Sequence, residues 1–154
     1  EKAAALAEIL AGRPYRVTAV TDLAAAVAEA DIVSAATLSS EPVIRGAWLK
    51  PGSHVDLVGA FTPAMRESDD DAIRRARVFV DTRGGALKEA GDIVRPIADG
   101  VITSADVVAD LFDLCRGTDP GRRGADEITL FKSVGTALED LAAARLVWSR
   151  VAGA

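Results

Sequence analysis

Residues 30–67 read ADIVSAATLSSEPVIRGAWLKPGSHVDLVGAFTPAMRE. Two apolar runs within them, Asp31 to Thr37 and Ser53 to Ala60, each give way to small or hydroxyl residues where a loop begins. Near-continuous apolar runs of this length, bounded by turn residues, are the pattern of parallel strands covered on both faces. Small residues at a strand end let a ligand approach the carboxyl edge of the sheet, where open α/β sheets bind cofactors. Between the runs, Glu41-Pro42 opens a loop, Val43 to Leu49 suits a short turn of helix, and Pro51-Gly52 turns the chain into the second strand.

Outward from this stretch the pattern alternates. Lys2 to Ala11 reads as an Ala/Leu-rich helix stopped by Gly12 and Pro14. Tyr15 to Val20 reads as a strand, and Thr21 or Asp22 caps a helix, LAAAVAEA, whose small face can lie against a sheet. Ser68 caps SDDDAIRRA, Arg77 to Asp81 is a strand, and Thr82 to Ala90 is a helix broken at Gly91. GDIVRPIADGVI reads as connecting chain, Ser104 caps a helix to about Leu114, and residues 117–124 form a Gly/Pro/Arg loop with Arg122-Arg123. Ile128 to Ser133 is a strand, and Gly135 to Val151 is one long amphipathic helix. Its Leu138, Leu141, Leu146, Val147 and Trp148 recur at helical spacing and suit packing or a subunit interface. Strands alternating with helices predict the α/β class, with a Rossmann-like, doubly wound parallel sheet. Residues 1–100 are read as the main part of this sheet domain, and 101–154 as a helix-strand-helix segment that completes it.

Composition limits the function classes. The chain of 154 residues is 49% hydrophobic but only 5% aromatic, so a core of Ala, Val, Leu and Ile is expected. Its net charge is −5, its pI about 4.9 and its mean hydropathy +0.19. No Lys/Arg stripe is present, which argues against nucleic acid and anionic membrane as partners. Arg74, Arg75 and Arg77 stand beside Asp69, Asp70 and Asp71 as one solvated helix face. Cys115 is the only cysteine and sits in an apolar-periodic helix, so a packed thiol in a reducing, cytoplasmic compartment is expected. No apolar run approaches membrane-spanning length, and the opening EKAAALAEIL lacks the apolar core of a signal peptide. His54, the only histidine, cannot build a metal site alone and suits a strand start.

The Gly-rich phosphate turn of dinucleotide-binding sheets, G-x-G-x-x-G after a strand, is not found; Gly84-Gly85 lacks the third glycine and the spacing. Three segments nevertheless carry a resemblance: ADIVSAATLSSEPVIRG, KPGSHVDLVGAFTPAMRE and ITLFKSVGTALED. Together they resemble the ornithine cyclodeaminase/mu-crystallin family of nicotinamide-dependent enzymes. The resemblance runs from the first helix to about Val151 and matches the later part of the family's polypeptide. It implies a Rossmann-like sheet whose first strands precede Glu1, so the chain is read as a piece of a longer protein. NAD(P) is the implied cofactor and a homodimer the implied assembly.

Residue by residue, the resemblance sets Thr37 and Leu38 against the ribose and nicotinamide end of the cofactor. Small and hydroxyl groups there suit close approach and hydrogen bonding, although such residues also serve as ordinary loop and cap positions. Val58, Gly59 and Ala60 would lie along the nicotinamide. Asp56 would either touch the cofactor or brace the backbone. Ser133 would cap the last helix or meet the carboxamide, and Val134 would face the substrate ring. The cyclodeaminases are expected to carry an aspartate, the general base, two residues after the glycine; here that position is Phe61, which cannot accept a proton. GAFTPAMRE instead resembles members that reduce cyclic imines, Δ1-pyrroline-2-carboxylate and Δ1-piperideine-2-carboxylate, to proline and pipecolate. Reduction of a protonated imine asks less of a protein base, and Phe61 would suit a small planar ring and exclude water, or else serve as core. An ornithine cyclodeaminase, or a non-catalytic binding protein of the mu-crystallin kind, are the alternatives.

Overall fold

Val33, Val55, Leu130, Val78 and Val107 lie side by side in one register row across five parallel strands. The strands are β1 (Ile32–Ala35), β2 (His54–Leu57), β3 (Arg77–Val80), β4 (Val107–Asp110) and β5 (Thr129–Lys132). Their order in the sheet is β1-β2-β5-β3-β4, so the last strand in sequence is the central one in space. The structure is a computed structural model and describes residues 1–152. Seven helices are described: α1 (Lys2–Ile9), α2 (Leu23–Glu29), α3 (Asp70–Arg75), α4 (Arg83–Glu89), α5 (Gly91–Ala98), α6 (Leu111–Arg116) and α7 (Ala137–Val151). The α/β class and the parallel sheet expected from the alternation are what the chain forms.

One face of the sheet is the core. Val33, Ala35, Val55, Leu57, Leu130, Val78, Val80 and Val107 bury that face under Ala72 and Ile73 of α3, Ala86 of α4 and Ile93 of α5. α5 shows why packing overrides local preference. Pro96 inside a helix costs about 3 kcal/mol in intrinsic propensity. Full burial of one side chain the size of Ile93 returns about 1.5–3 kcal/mol, and Pro96 is itself buried and Ile97 packed on the core. Within the segment 91–102, expected as connecting chain, Gly91–Ala98 is therefore a helix, and Gly91 opens it rather than ending α4 alone.

Other expectations fail for stated reasons. β1 is not covered on both faces: Ile32 is 69% exposed and Ser34 faces outward, because no described element lies over that side of the sheet edge. Tyr15 to Val20 forms no strand, since no described strand runs beside it to share its hydrogen bonds; Tyr15 and Val20 are both exposed. α2 buries only Val27, not an alanine face. Ser104 opens a single 3-10 turn, after which Val107–Asp110 is drawn into the sheet as β4 and only Leu111–Arg116 stays helical. Asp69, not Ser68, caps α3 by accepting from Ala72 N, and the same oxygen accepts from Gly46 N. Cys115 is exposed rather than packed. α7 starts at Ala137, two residues later than expected, and buries none of its residues. Among the described residues no helix is long and apolar enough to cross a membrane.

Candidate functional site

The carboxyl ends of β1, β2 and β5 are neighbours, so the sheet brings together Thr37, Leu38, Val58, Gly59, Ala60, Phe61, Ser133 and Val134. Asp56 stands apart: it is within β2 and its carboxylate accepts from Ser34 Oγ at 2.9 Å on the uncovered sheet face. His54 is at the opposite, amino edge, with Nδ1 2.7 Å from Thr129 Oγ1. Arg122 lies at that edge too, donating to Ser53 O and Thr129 Oγ1, and so is remote from the strand-end cluster.

The strand-end surface is apolar on its outside. Leu38 is 75% exposed, Val58 46% and Phe61 45%, so Phe61 is not a core residue. Ala60 is fully buried and has φ +48°, the single non-glycine in the left-handed region among the described residues. A left-handed alanine is a strained conformation, and the surroundings must hold it. The hydrogen bond from Gly91 N to Ala60 O at 3.0 Å is one such restraint. It turns the chain so that Phe61, directly after it, faces out at the edge.

Inside, four ionisable side chains hold the strand ends, and none was singled out from the sequence. Lys132 occupies the register row Ala35, Leu57, Lys132, Val80, Asp110, in which both of its immediate neighbours are apolar. It is fully buried, and Nζ donates to the carbonyls of Leu57 at 3.2 Å, Ser133 at 2.7 Å and Gly59. Three accepting carbonyls require three N–H donors, which only the ammonium form has. Burial pushes the Lys132 pKa down, while the charges of Asp92, Glu67, Asp81 and Asp56 oppose that shift.

Glu67, also fully buried, accepts from Thr37 N and lies against Gly59. A methyl group on Gly59 would overlap the Thr37 carbonyl and the Glu67 carboxylate, so glycine here serves the close approach of the β1 and β2 loops. Asp92 Oδ1 accepts from Glu67 N at 3.0 Å, Ser68 N at 2.8 Å and Ser68 Oγ at 2.9 Å. Its pKa is raised by burial, against the hydrogen bonds from Ser68 and Glu67 and the charge of Lys132. Glu67 Oε2 and Asp92 Oδ2 are buried without a partner.

Asp81 does the same at β5: Oδ2 accepts from Val134 N and Gly135 N, both at 2.7 Å, and from Ser133 Oγ at 3.1 Å. Ser133 is therefore bound to Asp81 and does not cap α7, whose N-cap is Thr136. Val134 is half-buried, with Cγ2 packed toward Gly85. The sequence signal for these acids and the lysine was a charged residue set in an apolar run, as in TLFKSVG. It is a weak signal, because sequence alone does not tell which side of a strand end is covered.

A nicotinamide ring fits this edge: an exposed apolar floor borders backbone loops held rigidly from beneath. The sequence carries no Gly-rich phosphate turn of the G-x-G-x-x-G kind.

Comparison with known proteins agrees with this architecture. The sequence model of the ornithine cyclodeaminase/mu-crystallin family matches residues 1–154. The chain is similar to a Delta(1)-pyrroline-2-carboxylate reductase of Paracoccus denitrificans, 48% identical over 99% of this chain and 48% of that protein. It is 42% identical to the mouse ketimine reductase mu-crystallin over 80% of this chain and 36% of that protein. Among solved structures, Thermococcus litoralis Delta(1)-pyrroline-2-carboxylate reductase in complex with NADH and L-proline superposes with a TM-score of 0.90. That likeness is at 34% identity and covers 98% of this chain and 46% of that one. The chain thus spans between 36% and 48% of the length of these relatives. It belongs to the ornithine cyclodeaminase/mu-crystallin family.

Proposed function

We propose that the complete protein is a nicotinamide-dependent reductase of small cyclic imino acids, converting Δ1-pyrroline-2-carboxylate and Δ1-piperideine-2-carboxylate to proline and pipecolate. The observation that carries this reading is the chemistry of the strand-end surface. Its outward groups are Leu38, Val58 and Phe61, while the acids beneath, Glu67, Asp81 and Asp92, are buried and engaged with backbone N–H groups. Amine oxidation needs a base at the reacting centre, and this chain presents none at that edge. Reduction of a protonated cyclic imine needs a dry, apolar floor and a fixed cofactor. A reduced nicotinamide supplies a hydride to the imine carbon, and the ring nitrogen keeps its proton as the amine forms.

The chain's own residues then bind and orient. Leu38, Val58 and Phe61 exclude water, with Phe61 and Val134 toward the substrate ring. Thr37, Gly59, Ala60 and Ser133 set the backbone against the nicotinamide. Asp56 is assigned to bracing β1 through Ser34 rather than to the cofactor. Similarity to reductases named for pyrroline-2-carboxylate and ketimines supports the substrate class. The reading extends to a cytoplasmic homodimer whose interface includes the exposed apolar stripe of α7, Leu138, Leu141 and Trp148. Within the chain, residues 1–100 and 101–154 are assigned to one nucleotide-binding unit, since β5 from the second part sits between β2 and β3 of the first.

The test uses the complete gene product, with NADH and NADPH consumption followed on Δ1-pyrroline-2-carboxylate and with ornithine plus NAD⁺ in parallel. Imine-dependent oxidation of either nucleotide, without ammonia from ornithine, is the expected result. Ammonia and proline from ornithine would overturn it. Phe61→Asp, which sets a desolvated carboxylate at the ring, is expected to lower kcat/KM for the imine by about tenfold or more.

A further inference from the structure

We propose that Lys132 is a positioning residue for the nicotinamide end of the cofactor, acting through the carbonyls of Gly59 and Ser133. This rests on the reading that the strand-end surface receives a nicotinamide. Packing does not explain the residue. Its row neighbours Ala35, Leu57 and Val80 are apolar and packed. Removing this ammonium alone would leave three carbonyls and the charges of Asp92, Glu67 and Asp81 uncompensated, so a cost in stability accompanies the positioning role.

What the ammonium does is geometric. Leu57 ends β2, Gly59 is two residues on, and Ser133 directly follows β5. The carbonyls of all three converge on Nζ at a point where the ladder between the two strands is ending. Three oxygen dipoles aimed at one point repel one another unless a cation lies between them. Lys132 thus fixes the spacing of the loop that carries Val58, Ala60 and Phe61 relative to the loop that carries Ser133 and Val134.

Glu67 extends the same control to a third loop. It accepts from Thr37 N while lying against Gly59, so the β1 loop with Leu38 is indexed to the same network. Asp92 anchors Glu67 and Ser68 from below, and Asp81 anchors Ser133, Val134 and Gly135. Because Lys132 is fully buried it touches neither cofactor nor substrate, and its effect is carried by backbone placement alone.

The experiment compares two ligands on the complete protein: NADH, and ADP-ribose, which lacks the nicotinamide ring. Lys132→Met keeps most of the length of the side chain, one atom short, and removes the ammonium. It is expected to weaken NADH binding about tenfold while ADP-ribose affinity changes less than about twofold. Equal changes for the two ligands, or a lower unfolding temperature with unchanged NADH affinity, would mark Lys132 as merely structural and overturn the proposal. If Lys132→Met does not fold, Glu67→Gln reads the same network from the Thr37 side. It retains an acceptor for Thr37 N, and a split of about threefold or more in the same direction is expected. No split in Glu67→Gln overturns the proposal equally. Wild-type protein that binds neither NADH nor NADPH would bring down the functional reading itself, a result visible before any variant is made.

Discussion

His54 faces Thr129 on the first rung between β2 and β5, and its environment gives it a signed effect on stability. Burial pushes its pKa below the ordinary 6.5, the Arg122 charge adds to that, and Asp56 opposes both. In the unfolded chain the imidazole titrates near its ordinary value, so on acidification the unfolded state takes up the proton first. Stability therefore rises with pH between the depressed folded value and about 6.5, and it is lost as pH falls through that window. The urea midpoint of the wild type should drop between about pH 7 and pH 5 more than that of His54→Gln, whose amide can keep the contact with Thr129. Equal slopes in the two proteins would show that His54 is not the group responsible.

At the scale of elements, the loop between β5 and α7 depends on one carboxylate. Asp81 Oδ2 collects Val134 N, Gly135 N and Ser133 Oγ, and Gly135 has φ +83°, a left-handed turn that glycine permits. Asp81→Asn replaces a charged acceptor with a neutral group that presents N–H to one side, so one or more buried donors lose their partner. The expected cost is about 1–3 kcal/mol, read by urea unfolding, with faster amide exchange at Val134 and Gly135. An unchanged exchange rate there would mean that the loop is held by something else. The sequence indicated β1, β2, β3 and β5 from apolar runs and placed helices over α3 and α4, although it capped α3 at Ser68 where the structure uses Asp69. It failed at residues 91–110, where Gly91 read as a break, 91–102 as connecting chain and Val107–Asp110 as part of a helix, because burial of Ile93 and pairing with β3 outweigh local preference.

Across the whole molecule two surfaces lack cover among the described residues. One is the outer face and edge of β1, with Ile32 69% exposed; the other is α7, where Leu138, Leu141 and Trp148 are between 54% and 72% exposed. Parallel sheets are normally buried on both faces, and a contiguous apolar helix face of this kind marks an interface. If the complete protein is the homodimer proposed above, Leu141→Asp combined with Trp148→Asp is expected to give monomers, as read by light scattering. A dimer that persists at micromolar concentration would move the interface elsewhere.

The sequence by itself determined the class of fold and the family, since apolar runs ending in small residues are local features. It also revealed Phe61 at the position where the resemblance expects the cyclodeaminase aspartate. Only the tertiary structure decided that Phe61 is exposed, that Gly59 is needed for Thr37 and Glu67 to approach, and that Asp56 stands away from the edge. It alone showed Lys132, Glu67, Asp81 and Asp92 to be one buried network. The physical reason is that β5 comes last in sequence yet sits at the centre of the sheet. Residues as far apart as Thr37 and Ser133 are joined by long-range strand pairing, and no local pattern records which buried charge will meet which carbonyl.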